Sequence, residues 1–417
     1  MSMRRRADIL ILSSAIGSGH MRASAALSKG VKLIEPRREC LTIDFPREVS
    51  PAMEALLRHA YLESLKLMPD LYGRIYRMPE LQATQDSMLR QTSEVYERVQ
   101  RTLDLWTTRR YAPMHPDSGY TEARRQRQQG VGRRTLEGLV EETGANVLVA
   151  PHFYGAGVLG NYKEQNPQAF TTVVLTDYVP HPIGVPSNLD LYVVADEAAA
   201  ERVEKLGVPE NKIHPTGIPI DPAFEDPADV TGVRRDILEL GEHKQGDDLP
   251  ITSVMGGGLG GGHLENVVTS LLEASAAIRL VVLCGSNTST CERLQRIAEI
   301  RGRSATFLPF TDRVRDLMAA STVLVTKPGG MSCTEALALG LPQILFNPIP
   351  GQEEDNAAAM MRYGAGVMVN SVDDVLGETL KVLTSSSHRL RMVESARAAH
   401  RPHSARAAAE LILQGML

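Results

Sequence analysis

The stretch Val323-Leu-Val-Thr-Lys-Pro-Gly-Gly-Met-Ser-Cys-Thr-Glu-Ala-Leu-Ala-Leu-Gly-Leu-Pro342 decides how the rest of the chain is read. Val323 to Thr326 is a short apolar run rich in β-branched residues, the pattern of a buried parallel strand. Pro328, Gly329 and Gly330 break it. Met331 to Leu339 is a good helix, stopped by Gly340 and Pro342. A turn of this kind leaves free backbone N–H groups at a helix N-terminus, where an anion is welcome. Glu335 falls about one turn into that helix, and a carboxylate there can accept two hydrogen bonds from a diol such as a ribose. A second strand, Gln343 to Asn347, is followed by the polar cluster Pro350-Gly-Gln-Glu-Glu-Asp-Asn356. Two successive strand ends thus put polar groups on one edge of a sheet, the edge where open α/β sheets bind ligands.

Working outward, the chain has 417 residues, too many for one ordinary core, so two domains are expected. Hydrophobic residues make up 43%, with regular Gly and Pro punctuation, which excludes a disordered chain. A net charge of −5 gives no basis for a nucleic-acid partner. No apolar run reaches the ~18 residues of a membrane-spanning helix. The opening Met1-Ser-Met-Arg-Arg-Arg-Ala-Asp8 has neither the apolar core nor the cleavage site of a signal peptide. Cys40, Cys284, Cys291 and Cys333 have no metal or redox spacing and read as reduced thiols of a cytoplasmic protein.

The amino-terminal half opens in the same way as the quoted stretch. Ile9 to Ser13 is a buried-strand run, and Ala15-Ile-Gly17-Ser-Gly19-His20-Met-Arg-Ala-Ser is a Gly turn opening a helix. His20 sits at that helix N-terminus, where the positive dipole end keeps an imidazole neutral and suits it to act as a general base. A purely structural histidine is the alternative. Strands are expected at 146–151, 171–176 and 191–195, the second ending in Asp177-Tyr-Val-Pro-His181. The Pro/Gly-rich run 213–222 and the weakly patterned 225–249 mark the domain boundary. A new sheet then starts at Ile251, followed by Gly256-Gly257-Gly258-Leu-Gly260-Gly-Gly-His263. One Gly loop is a weak signal. One per half, together with the quoted stretch, predicts two Rossmann-like domains facing one cleft. The tail from Ser387 reads as Ala/Arg-rich helix to the last residue.

Residues 46–135 read differently, as a helical insertion. From Arg98 to Arg134 there are nine Arg, no Lys and three acids, a net of +6 in a chain that is acidic overall. Trp106 lies there beside Arg109 and Arg110, with Arg124 and Arg125 further on. A solvated helix pair is the plain reading. A membrane-surface patch, where basic and aromatic residues meet anionic lipid headgroups, is the sharper one.

These residues carry a resemblance that runs almost the full length. Gly17-Ser-Gly-His-Met-Arg-Ala-Ser-Ala, Thr176-Asp-Tyr with His181, Gly217-Ile-Pro-Ile-Asp-Pro-Ala-Phe224, Met255-Gly-Gly-Gly, Thr326-Lys-Pro-Gly-Gly-Met-Ser-Cys-Thr-Glu335 and Pro348-Ile-Pro-Gly-Gln-Glu-Glu-Asp-Asn356 resemble the glycosyltransferases that make glycosyldiacylglycerols. Those are plant monogalactosyldiacylglycerol synthase and bacterial processive diacylglycerol glucosyltransferase, more distantly related to the lipid-linked N-acetylglucosaminyltransferase of peptidoglycan synthesis. One departure is visible: Pro182-Ile-Gly-Val follows His181 where family members usually carry a Trp.

The resemblance implies a GT-B fold. Residues 1–225 would form the acceptor domain and 226–395 the UDP-sugar domain, with 396–417 a helix returning to the first. It implies that Glu335 holds the ribose hydroxyls and that Gly257, Gly258, Gly260, Gly329 and Gly330 cradle the diphosphate. Thr311 would contact uracil through its backbone, and Gln352, Glu353 and Asn356 would contact the donor sugar and neighbouring groups. Gly17, Gly19, Asp177 and His181 would lie on the acceptor side, with His20 as base. No Asp-x-Asp pair offers a metal site, and no cofactor is expected. The expected partners are UDP-glucose or UDP-galactose, diacylglycerol and anionic lipids at the inner face of the cell membrane. A UDP-N-acetylglucosamine 2-epimerase and a catalytically silent nucleotide-sugar sensor are the competing readings.

Overall fold

The computed structural model describes residues 6–51, 54–55, 58, 73, 76–77, 119–238, 249–256, 262–273, 278–285, 287–302 and 305–416. Among these, twelve strands form two six-stranded sheets, and every pairing is parallel. The first sheet contains β1 (Ile9–Ser13), β2 (Cys40–Asp44), β3 (Val147–Ala150), β4 (Phe170–Val174), β5 (Leu191–Val193) and β6 (Ile213–His214), in the order β2-β1-β3-β4-β5-β6. The second contains β7 (Ile251–Met255), β8 (Arg279–Gly285), β9 (Ala305–Pro309), β10 (Val323–Thr326), β11 (Gln343–Phe346) and β12 (Gly366–Val369), in the order β12-β11-β10-β7-β8-β9. Strands β1, β3 and β10 are buried along their whole length, as their unbroken β-branched and Leu runs require when helices cover both faces.

Both sheets reverse strand order at one place, between β1 and β3 in the first and between β10 and β7 in the second. A crevice opens where neighbouring crossovers diverge to opposite faces, and open α/β sheets bind their ligands at such positions. His20 follows β1, Pro151 and His152 follow β3, and the Pro328–Gly330 turn follows β10. The two doubly wound halves expected from the Gly turns are therefore present, and the switch points show where each one opens.

One apolar cluster spans the two sheets. Leu10, Leu12 and Tyr178 from the first domain cluster with Leu324, Met331, Cys333 and Leu345 from the second. The expectation of one continuous terminal helix is corrected: the tail is two helices, Ser386–Ala399 and Ser404–Gln414, parted by His400-Arg-Pro-His403. Pro402 lacks the N–H a helix needs, and His403 is left-handed at φ 60°, so the helix stops there and restarts. The last helix lies on the amino-terminal domain. Its Ala408, Ala409, Ile412 and Leu413 are buried against Ile9, Ile11, Leu27 and Val31, and Ser404 Oγ donates to the Ile218 carbonyl at 3.0 Å. Burying a side chain such as Ile412 or Leu413 is worth roughly 1.5–3 kcal/mol each, enough to hold the two domains on a common strap.

Candidate active site

Helix α1 (Ser18–Ile34) starts at Gly17, whose φ of 81° is a conformation that glycine enters freely. That turn places His20 one residue past Gly19. His20 Nδ1 lies 2.9 Å from the Pro151 carbonyl and 3.2 Å from Thr176 Oγ1. A carbonyl can only accept, so Nδ1 carries the proton and Nε2 keeps its lone pair, the tautomer a general base needs. Burial lowers the His20 pKa below the ordinary 6.5, with the Asp177 charge and the Pro151 hydrogen bond opposing. The imidazole is thus neutral at pH 7.

His152, just past the end of β3, is a site residue that the sequence did not point to. Its ring meets His20 edge to face, with centroids 4.7 Å apart and planes at 74°. It is 4% exposed. Its Nδ1 accepts from the Tyr154 N–H and so caps the helix that follows, Phe153–Gln165. Burial first, and His20 second, hold its pKa well below 6.5. The signal available was position alone: a polar residue directly after the strand beside β1.

Across the crevice, the helix Gly330–Ala338 buries Glu335, whose side chain is 2% exposed. Arg22, two residues after His20, donates to Glu335 Oε1 from the opposite domain. Glu335 Oε2 is buried and has no hydrogen-bond partner among the described residues. Gly330 sits so close to the amino-terminal domain that a Cβ there would stand 2.0 Å from the Thr176 carbonyl oxygen. Gly19 approaches from the other side, where a Cβ would lie 3.5 Å from Met331 Cγ. Beside this turn Lys327 Nζ is 3.5 Å from Glu353 Oε2. Gly329 lies in extended conformation as the N-cap of the same helix.

A second polar cluster follows β11, at the start of the helix Gln352–Tyr363. Gln352 Nε2 donates to Asp177 Oδ2 at 2.7 Å, and Asn356 Nδ2 to Asp177 Oδ1 at 2.9 Å. Asn356 Oδ1 accepts the Tyr178 N–H at 2.9 Å, and Tyr178 Oη meets Thr334 Oγ1 at 2.8 Å. Glu353 turns back into its own domain, accepting the Ile349 N–H at 2.7 Å, and burial raises its pKa against the pull of Lys327. Asp177, from the amino-terminal domain, therefore meets the amides of Gln352 and Asn356 from the carboxy-terminal one. His181 Nε2 holds the Tyr76 carbonyl at 2.7 Å. Its Nδ1 accepts from the Ile183 N–H and caps the short 3-10 turn Pro182–Gly184. Tyr76 in turn covers Gly351. Thr311 Oγ1 caps its own turn through the Arg313 N–H, next to an exposed Phe310.

Some of the expected site lies outside the described residues: Gly257, Gly258 and Gly260, and the patch residues Trp106, Arg109 and Arg110. Arg124 and Arg125 fall in the helix Gly119–Thr143, but their side chains are not described. A cavity of about 740 Å³ is lined by residues of both domains, among them Asp196, Arg362, Tyr363 and His400. Its charges are already matched, Arg362 with Asp196 and Arg401 with Glu197.

Two parallel switch-point sheets, with a histidine on one and a buried carboxylate at a Gly-turn helix on the other, make a GT-B fold. Known proteins narrow the reading. Residues 96–220 match the family profile described as monogalactosyldiacylglycerol (MGDG) synthase, and residues 251–411 match the glycosyltransferase family 28 C-terminal domain. A processive diacylglycerol beta-glucosyltransferase of Bacillus subtilis is 29% identical over 290 residues, 69% of this chain and 72% of that protein. One from Bacillus pumilus is 24% identical over 415 residues, 99% of this chain and 96% of that protein. Acinetobacter baumannii MurG has the same fold at TM-score 0.59 and 12% identity, covering 97% of this chain and 99% of that one. So does a UDP-GlcNAc 2-epimerase from Neisseria meningitidis, at TM-score 0.57 and 10% identity over 98% of each. The chain is thus similar in its first half to monogalactosyldiacylglycerol synthase, in its second to the family 28 C-terminal domain, and along its length to processive diacylglycerol glucosyltransferases.

Proposed function

We propose that this protein moves a hexosyl unit from a UDP-sugar to the free hydroxyl of diacylglycerol, with inversion, at a membrane surface. The observation that carries the reading is the orphaned oxygen of Glu335. A buried carboxylate oxygen with no partner costs roughly 1–3 kcal/mol or more, and the two hydroxyls of a ribose would satisfy it. The similarity supplies the acceptor, since the similar Bacillus proteins are named for diacylglycerol.

In this reading His20 Nε2 takes the proton of the acceptor hydroxyl. The hydroxyl oxygen bonds to the anomeric carbon from the face opposite the diphosphate. The bond from that carbon to the diphosphate oxygen breaks, and UDP leaves with the electron pair. Backbone amides at the start of the Gly330–Ala338 helix, with Lys327 beside them, stabilise the leaving charge without reorganising. Among the described residues no helix is long and apolar enough to cross a membrane. The Arg-rich segment 98–134 is the proposed contact with anionic headgroups.

The test is UDP release from UDP-glucose and UDP-galactose, with and without diacylglycerol vesicles. Release that depends on diacylglycerol supports transfer and identifies the hexose. Conversion of a UDP-sugar without lipid supports the epimerase reading, whose fold is shared.

A further inference from the structure

We propose that Asp177, from the amino-terminal domain, sets the hydrogen-bonding polarity of the donor-sugar subsite by fixing the amide of Gln352 so that its carbonyl oxygen, not its NH₂ group, faces the sugar. The recognised feature of the sugar is then a hydroxyl that donates. This rests on the reading of the cleft as a nucleotide-sugar site and goes beyond it in naming what orients that site.

The reason lies in which groups can donate and which can only accept. A carboxylate has no proton to give, so both groups that meet Asp177 must be N–H donors. Gln352 Nε2 at 2.7 Å and Asn356 Nδ2 at 2.9 Å occupy one carboxylate oxygen each. This settles which way round both amides stand. Asn356 is completely buried, and its oxygen is taken by the Tyr178 N–H, so it serves as a strut. Gln352 is half-buried at the first turn of its helix, and its Oε1 has no hydrogen bond among the described residues, which leaves it for a ligand. Asp177 itself is located by a contact only glycine allows. Gly330 seats against the Thr176 carbonyl, and its missing Cβ would lie 3.5 Å from Asp177 Oδ1. The donor-side helix and the donor-side amides thus close on the same corner of the other domain. Asp177 acts on the sugar only through Gln352, so it is a positioning residue.

Asp177 also bears electrostatically on His20, so turnover mixes two effects, and binding without acceptor separates them. The experiment is calorimetric titration of UDP, UDP-glucose and UDP-galactose into the full chain as wild type, Asp177→Asn, and Asp177→Asn with Gln352→Glu. The asparagine can flip and offer its NH₂ to Gln352, which then turns its own NH₂ toward the sugar. The expected result is UDP affinity within about twofold of wild type and a fall of about tenfold in the ratio of UDP-sugar to UDP affinity. The double variant reverses the polarity of the pair and still leaves a carboxylate oxygen toward the sugar, so the ratio returns to within about threefold of wild type. Should Asp177→Asn fail to fold, Gln352→Glu alone sets two carboxylates face to face and is expected to lose the same ratio. An unchanged ratio in the single variants, or no recovery in the double variant, overturns the proposal. If wild type binds UDP and the UDP-sugars while the variants leave the ratio unchanged, the failure is confined to Asp177. If wild type binds no UDP, the nucleotide-sugar reading falls, and this one with it.

Discussion

Arg22 and Glu335 come from opposite domains and meet in the cleft, the carboxylate 2% exposed and the guanidinium side chain 36% exposed. The ion pair offsets the burial of the carboxylate, yet only one of its oxygens is used. Glu335→Ala removes the group proposed to hold the ribose. Hydrogen bonds to a charged group are worth ~1.5–3 kcal/mol, so UDP affinity should fall about 10- to 100-fold. Calorimetric titration of UDP checks this, and 2′-deoxy-UDP should show a smaller loss on the same substitution.

His20→Ala should lower transfer by at least ~10²-fold, the ordinary contribution of a positioned base. UDP affinity should stay within about twofold, because the imidazole stands on the other domain and its proposed partner is the acceptor hydroxyl. Loss of UDP affinity instead would show that His20 serves the donor.

Protonation of His20 gives the sign of the pH dependence. Its folded pKa is lowered by burial, so the base stays neutral to below pH 6.5 and the acid limb of kcat should lie on the low side of that value. His152 is shifted further in the same direction. For a histidine whose folded pKa is depressed, the unfolded chain binds more protons, so stability is full above about pH 6.5 and is lost as pH falls below it. Urea midpoints at pH 7.5 and 5.5 should differ for wild type and differ less for His152→Asn, which keeps a helix-capping side chain but cannot titrate. The same difference in both proteins would remove His152 from this account.

Much of this fold was legible because parallel strands covered on both faces are unbroken apolar runs, as at Ile9–Ser13 and Val323–Thr326. Gly turns after two of them located the helix N-termini. The cross-cleft pairs were not legible. Arg22 and Glu335 are 313 residues apart, and Asp177 and Gln352 are 175 apart, and nothing in local periodicity records such a separation. His152 escapes a sequence reading because an imidazole beside a strand end has no spacing signature. The break at Pro402–His403 is masked by the Ala-rich composition on either side, which favours helix throughout.

Gly330→Ala should be severe. Its Cβ would lie 2.0 Å from the Thr176 carbonyl oxygen, a backbone atom that cannot step aside, so the domains must part. An overpacking cost of ~1–3 kcal/mol and loss of transfer are expected. Gly377→Ala, in the helix Val372–Thr384 with open space around it, should instead stabilise by up to ~1 kcal/mol. Thermal melts of the two variants make the comparison.

Replacing Arg109, Arg110, Arg124 and Arg125 together by Gln tests the proposed membrane contact. Each basic residue near an anionic surface is worth about 1 kcal/mol, so vesicle binding should weaken strongly at low salt and less at high salt. Undiminished co-sedimentation with anionic vesicles would place the contact elsewhere.

The central claim is that His20 and the Glu335 side of the cleft act on one sugar, transferring it to a lipid alcohol with inversion. Its most direct test is the anomeric configuration of the product made from α-linked, ¹³C-labelled UDP-hexose and diacylglycerol, read by NMR for wild type and His20→Ala. The account predicts a β-linked glycosyldiacylglycerol from wild type and none from the variant, although the variant still binds UDP. An α-linked product, or undiminished lipid glycosylation by His20→Ala, would contradict it.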